Sequence, residues 1–176
     1  MWKFVCIMLA SLATFPENPG GSIIILKQAF TIEGATSVGD FNCTYQLEQR
    51  DTVHVGKTAS GDDSILYIIP SDAFGCHNFL LNRDFRKTIK AKEFKDIRVE
   101  MCRLRKDNHH YMCDLKLKLA GKEKMYEKTS LKTTANGVTG TLVVQFSEFD
   151  LTPPKKFGGL VKVKEEIKIS VNLTLQ

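Results

Sequence analysis

The segment from Val161 to Leu175 limits what this chain can fold into more than any other. Its odd positions Val161, Val163, Ile167, Ile169, Val171, Leu173 and Leu175 are apolar, and only Glu165 interrupts them. The even positions Lys162, Lys164, Glu166, Lys168, Ser170, Asn172 and Thr174 are all polar. Side chains alternate across a strand, so the pattern predicts one dry face and one wet face. Strands usually run to about 5–6 residues; this one spans fifteen. A long, two-faced strand suits a curved barrel or a large sandwich, with polar residues outside and apolar residues lining an interior. What fills that interior besides side chains becomes the functional question.

The rest of the chain supplies partners for such a strand. Ile23 to Leu26 and Phe30 to Ile32 read as opening strands with a kink or bulge between them. Gly34 to Gly39 reads as a turn region. Phe41, Cys43, Tyr45 and Leu47 alternate with Asn42, Thr44 and Gln46, and Ile65 to Ile69 is a short apolar strand stopped by Pro70. The period then changes. Leu81, Phe85 and Ile89 recur every fourth residue between Asn78 and Lys95, which predicts the chain's one clear helix, placed to plug or cap a barrel end. Strands are expected at about 96–104, 110–120, 123–134 and 138–147, with Asn136-Gly137 as a two-residue hairpin turn. The fold class predicted is all-β with one short helix: an antiparallel, eight-stranded, lipocalin-like barrel closed without edges, with a two-sheet sandwich as the alternative.

Processing and charge narrow the classes further. Met1 to Lys3 gives a basic start, Phe4 to Ala10 is nearly all apolar, and Ser11-Leu12-Ala13 places small residues at a cleavage site. Residues 1–13 therefore read as a secretory signal peptide, with a buried first strand as the competing reading, and 14–176 as one domain in the periplasm or secreted. The expected product is soluble, with no stable membrane insertion. Net charge is +5 with lysines dispersed along the chain, and no basic run is interleaved with aromatics, which argues against nucleic acid as a partner. Dimerisation is left open.

Four cysteines follow the signal: Cys43, Cys76, Cys102 and Cys113. Cys102 and Cys113 flank a hairpin tip, but the apolar faces of their strands (Ile97, Val99, Met101; then Leu115, Leu117, Leu119) turn Cys102 outward and Cys113 inward. Without a bulge they cannot bridge. Cys43–Cys76 is the disulfide expected, with Cys113 a small buried apolar residue.

Candidate chemistry is sparse. Adjacent His109 and His110 at a hairpin tip point to opposite sides of an extended chain and have no third ligand at a useful spacing, so no metal is expected. Cys76-His77 raises a thiol–imidazole pair, but nothing marks an orienting third group or an oxyanion site. Glu165, alone on an apolar face, belongs either at a barrel mouth in water or against a ligand's polar group. Asp84 beside Arg83 fits a helix start or an ion pair. Asn42-Cys-Thr44 and Asn172-Leu-Thr174 match the glycosylation triplet, which arises often by chance. The residues read as a binder rather than an enzyme, with no cofactor.

Several blocks together carry a family likeness. Gly39-Asp-Phe-Asn-Cys43, Ile65 to Pro70, Asp72-Ala-Phe-Gly-Cys-His-Asn78, Asn82-Arg-Asp84 and Phe94-Lys-Asp-Ile97 are followed by Gly137-Val-Thr-Gly140, Phe146-Ser-Glu-Phe-Asp-Leu151 and Gly159 to Ile167. In order and spacing these resemble the YceI-like proteins over residues 22–176, and in Cys43, Cys76, Asn78 and Asn82 their exported branch in Bacteroidetes. The resemblance implies a lipocalin-like barrel without enzymatic activity, binding a polyisoprenoid or similar long lipid. Under that reading the lining candidates are Phe41, Tyr45, Val99, Met101, Leu115, Leu117, Leu142, Val144, Phe146, Ile167, Ile169 and Val171, with Phe79, Leu80 and Phe85 gating one end. Each of them equally fits ordinary core packing.

Overall fold

The computed structural model describes residues 22–54, 64–107, 110–156, 158 and 160–176. The signal reading of residues 1–13, and His109, lie outside them. The strands are β1 (Ser22–Thr36), β2 (Gly39–Leu47), β3 (Asp51–His54), β4 (Ser64–Pro70), β5 (Gly75–Cys76), β6 (Asp96–Asp107), β7 (His110–Leu119), β8 (Lys122–Thr134), β9 (Gly137–Gln145), β10 (Lys155–Lys156) and β11 (Val161–Leu175). One helix, α1 (Phe79–Thr88), separates β5 from β6, and a 3-10 turn (Phe146–Phe149) follows β9. Eight long strands form one curled antiparallel sheet in the order β4-β6-β7-β8-β9-β11-β1-β2, with β5 added beyond β2. The expected fold class is the one found.

The alternation of β11 explains its central place. Ile167, Ile169, Val171 and Leu173 are buried in the interior, and they pair with β1 on one side and β9 on the other. The opening strand is continuous rather than split, with an irregularity between Ile25 and Lys27 that brings Gln28 into phase with the buried Phe30 and Ile32. Gly34 is directly opposite Phe41, whose ring lies across the strand; a Cβ on Gly34 would sit 2.5 Å from Phe41 Cζ. The backbone therefore needs glycine here for Phe41 to lean over the barrel.

Closure differs from the expected edge-free barrel. Among the described residues no backbone ladder joins β4 to β2 or β3. Side chains bridge part of that seam instead. Phe30 and Tyr67 meet edge to face at 5.3 Å, and Phe74 packs at a tilt against Tyr45 and Phe85 with ring centroids 6.0 and 5.5 Å apart. Such pairs add about 0.5–1.5 kcal/mol each beyond their burial. The short strand β5 crosses from the β4 side and pairs with β2, where the Cys43–Cys76 disulfide fixes it.

Two hairpins also depart from expectation. Ala135 and Asn136 form the turn between β8 and β9, neither with positive φ, and Gly137 already belongs to β9. A Cβ on Gly137 would lie against the Leu173 carbonyl oxygen, so close packing on β11, not turn geometry, requires the glycine. The tight turn with two positive φ values is Ala120-Gly121, at +49° and +81°, between β7 and β8. Both β6 and β8 carry bulges, where Arg103 and Lys128 adopt φ of 51° and 54°. The buried Asp114 carboxylate ties them together: it accepts from the Arg103 guanidinium and, at 2.9 Å, from the Lys128 backbone N–H.

Candidate functional site

The helix is built as a lid. Asn78 caps it, its Oδ1 accepting from Leu81 N at 2.9 Å, as expected for an N-cap asparagine. Asn82 holds the first turn to the disulfide strand: its Oδ1 accepts from Cys76 N at 2.8 Å and its Nδ2 donates to Cys76 O at 3.3 Å. Arg86 donates to the Asp72 carbonyl at 2.9 Å. Yet none of the helix's ten residues is fully buried. Leu81 and Phe85 are half-buried against the core, and the predicted stripe ends in the buried Ile89 just past the helix.

Beneath this lid lies an apolar cavity of about 110 Å³. Leu81, Asp84, Phe85, Thr88 and Ile89 roof it; Ile32, Phe41, Cys43 and Ile167 form its strand wall; Leu119, Phe146 and Leu151 close the far side; Thr36, Pro154, Val161 and Val163 stand at its edge. Asp84 is its one ionisable group and sits 3.9 Å from Arg83. The arrangement can enclose hydrocarbon.

Of the residues expected to line a site, Phe41, Phe85, Phe146 and Ile167 meet at this cavity. Val99, Leu115, Leu117, Leu142, Ile169 and Val171 surround a second void of only about 10 Å³, deeper in the barrel. Met101 and Val144 are packed into the core, and Tyr45 lines the seam. Phe79 and Leu80 are not gates: they are 77% and 59% exposed and touch neither void. Helical spacing explains this, since Phe79 and Leu80 begin α1 on the side away from the Leu81–Phe85 stripe. Sequence reading missed Ile32, Leu81, Leu151, Val161 and Val163 as lining residues. Val161 and Val163 were legible in the alternation of β11 but not in its depth.

Glu165 does not line the cavity and is exposed to solvent, as expected for a position in water. Its Oε1 accepts from Ser147 N at 2.7 Å and so caps the 3-10 turn that carries Phe146. That turn is pinned a second time by Tyr126, whose hydroxyl donates to Glu148 at 2.5 Å.

A separate cleft of about 410 Å³ follows the open seam, lined among others by Tyr45, Asp51 and Tyr67. Two polar atoms near it are fully buried with no partner among the described residues: the Tyr67 hydroxyl and Gln28 Oε1. Gln28 Nε2 donates to Asp51 Oδ2 at 3.0 Å and to Gln49 O at 3.2 Å. Burial, with the Asp51 carboxylate nearby, pushes the Tyr67 phenol well above its ordinary range, so it stays neutral.

The thiols are settled by geometry. Cys76 is consumed in the disulfide, which removes it as a nucleophile. Cys102 and Cys113 are free, and burial pushes the Cys113 thiol up to about 11. Burial first and the Glu100 carboxylate second raise Cys102 as well. Neither is activated in the direction a catalytic thiolate needs.

Against known proteins, no family profile matches the chain, and no curated protein does. Among solved structures the chain is similar to BcnA of Burkholderia cenocepacia, with a TM-score of 0.60 at 15% identity, over 84% of this chain and 96% of that one. At that identity the likeness is one of fold: the curled antiparallel barrel is shared along nearly the whole of both chains.

Proposed function

We propose that this protein is an exported carrier whose barrel takes the end of a long apolar molecule, a polyisoprenoid or similar lipid, beneath α1. The observation that carries this reading is the apolar cavity roofed by a helix that buries none of its own residues completely. The likeness to YceI-like sequences and the disulfide, which belongs to an oxidising compartment, support the export and ligand parts.

Magnitudes restrict how the ligand is held. A volume of about 110 Å³ has room for roughly four water-sized groups. At about 0.8 kcal/mol per buried methylene, four carbons give only about 3 kcal/mol. Micromolar binding requires about 8 kcal/mol. The chain must therefore continue out past Val161 and Val163, or α1 must lift to enlarge the space. The lid's few deep contacts favour the second course.

One observation favours a competing reading. The middle of the barrel is filled by its own side chains, leaving only about 10 Å³. That fits a structural or interaction module with a self-packed core. The two readings separate in one experiment. The protein is purified from its native host under mild conditions, extracted with organic solvent and analysed by mass spectrometry. Recovery of a stoichiometric isoprenoid or other long-chain lipid supports the carrier; repeated recovery of none supports the module.

A further inference from the structure

We infer that the outer face of α1 and the turn after it form a docking surface for an anionic lipid bilayer. This goes beyond the carrier reading: it concerns the opposite face of the same helix, and depends on that reading only for its purpose.

Exposed apolar residues come first. Phe79 and Leu80 are the only pair adjacent in sequence among the large hydrophobic side chains exposed in the described residues, and Phe79 is the only aromatic among them. Exposed singly, such residues need no explanation; adjacent at the start of α1 they form a small exposed apolar patch.

Charge comes second. From Phe79 to Lys95 the chain carries Arg83, Arg86, Lys87, Lys90, Lys92 and Lys95 against Asp84 and Glu93. Six cations against two carboxylates leave a net +4 on this segment, while the whole chain has +5. Residues 116–132 carry the same net +4, so what sets this segment apart is that its cations sit beside the exposed Phe79 and Leu80. Geometry joins the two features: Phe79 and all six cations line one open surface depression of about 750 Å³. Asp72 and Glu93 line the same depression, so six cations face two carboxylates there, while Asp84 sits beside Arg83 and roofs the cavity on the inner side.

An apolar patch beside spread cations on an exposed helix is the arrangement of an interfacial helix on negatively charged lipid. The inner face of the same helix roofs the apolar cavity. Docking thus puts the lid, and the space beneath it, at the surface where an apolar chain is taken up or released.

The test is co-sedimentation of the intact protein with phosphatidylcholine vesicles and with mixed phosphatidylcholine–phosphatidylglycerol vesicles. The expected result is binding to the mixed vesicles that is about tenfold or more tighter than to phosphatidylcholine alone and that weakens steeply with added salt. Phe79→Ser with Leu80→Ser should lower that binding about tenfold. Arg83→Ala with Lys92→Ala should lower it by about fivefold per charge removed. Phe79, Leu80, Arg83 and Lys92 are all exposed, and circular dichroism of each variant checks that the fold is kept. Equal binding to both vesicle types, no binding to either, or mixed-vesicle binding unchanged in both variants would overturn the inference. Retained binding of farnesol in a protein that ignores vesicles would remove the docking surface and leave the carrier standing; vesicle binding without farnesol binding would do the reverse.

Discussion

Cys43 on β2 and Cys76 on β5 stand directly opposite one another, their Cα atoms 4.2 Å apart and their sulfurs bonded. The bond lies within the two-residue β2–β5 ladder, on the segment that runs from the β4 edge to the β2 edge. It also fixes the strand to which Asn82 ties the lid helix. One covalent contact therefore serves both barrel closure and lid placement.

The first prediction follows from that placement. The bond closes a loop with a sequence separation of 33, which in the chain-entropy account contributes about 3–4 kcal/mol. The Cys43→Ser, Cys76→Ser double variant should lose that much in urea unfolding, and the wild type should lose a similar amount under reductant. An unchanged midpoint in both cases would mean the seam is held without it.

Asp114 is buried between two bulged strands and holds both Arg103 and the Lys128 amide. Asp114→Ala strands a backbone donor and removes the partner of a half-buried guanidinium. A loss of about 2–4 kcal/mol is expected by chemical denaturation. Arg103→Ala should cost less, because the carboxylate keeps the Lys128 bond.

Tyr67 carries a buried hydroxyl with no partner among the described residues. Removing it in Tyr67→Phe deletes a desolvated polar atom while keeping the ring against Phe30. Stability should be unchanged or higher by up to about 1 kcal/mol. A clear loss of stability would show that the hydroxyl has a partner of its own.

Alkaline pH should destabilise the fold. Burial and then Asp51 raise Tyr67; burial and then the hydrogen bond to Glu148 raise Tyr126; burial raises Cys113 to about 11. In the unfolded chain the thiol and phenols lose their protons near 9.0 and 10.0. Between the unfolded and folded values the folded state holds more protons, so stability is fully present below that range and falls as pH rises through it. The urea midpoint should be flat from neutral to about pH 9 and decline beyond. A midpoint that rises above pH 10 would contradict the burial of these groups.

Val163 stands half-buried at the cavity edge. Val163→Phe should fill part of the space and weaken farnesol binding by about tenfold, at a cost to stability of no more than about 1–3 kcal/mol. Binding untouched by this change would place the ligand elsewhere.

Much of this architecture was legible in the sequence, and the exceptions have physical causes. The alternation of β11 and the four-residue spacing of Leu81, Phe85 and Ile89 translate directly into buried faces, because each depends on one local period. The disulfide was legible because inward-facing Cys43 had only Cys76 near a strand end. Asp114 was not: alternation assigns it outward, and its burial comes from the bulged segments of β6 and β8 that cover it. Those bulges sit at Arg103 and Lys128, two residue types with no preference for positive φ, so nothing in the sequence announces them. Phe149 and Leu151 were missed as core because the 3-10 turn that buries them follows a strand without punctuation. The cavity itself depends on how far the side chains of six separate elements fall short of one another. No local pattern encodes that distance.

The most direct test is a crystal structure of the protein grown with farnesol. The account predicts continuous density beneath α1, between Phe85, Phe146 and Ile167, with the helix displaced outward relative to the ligand-free protein. A barrel whose helix has not moved and whose interior holds no density would contradict it.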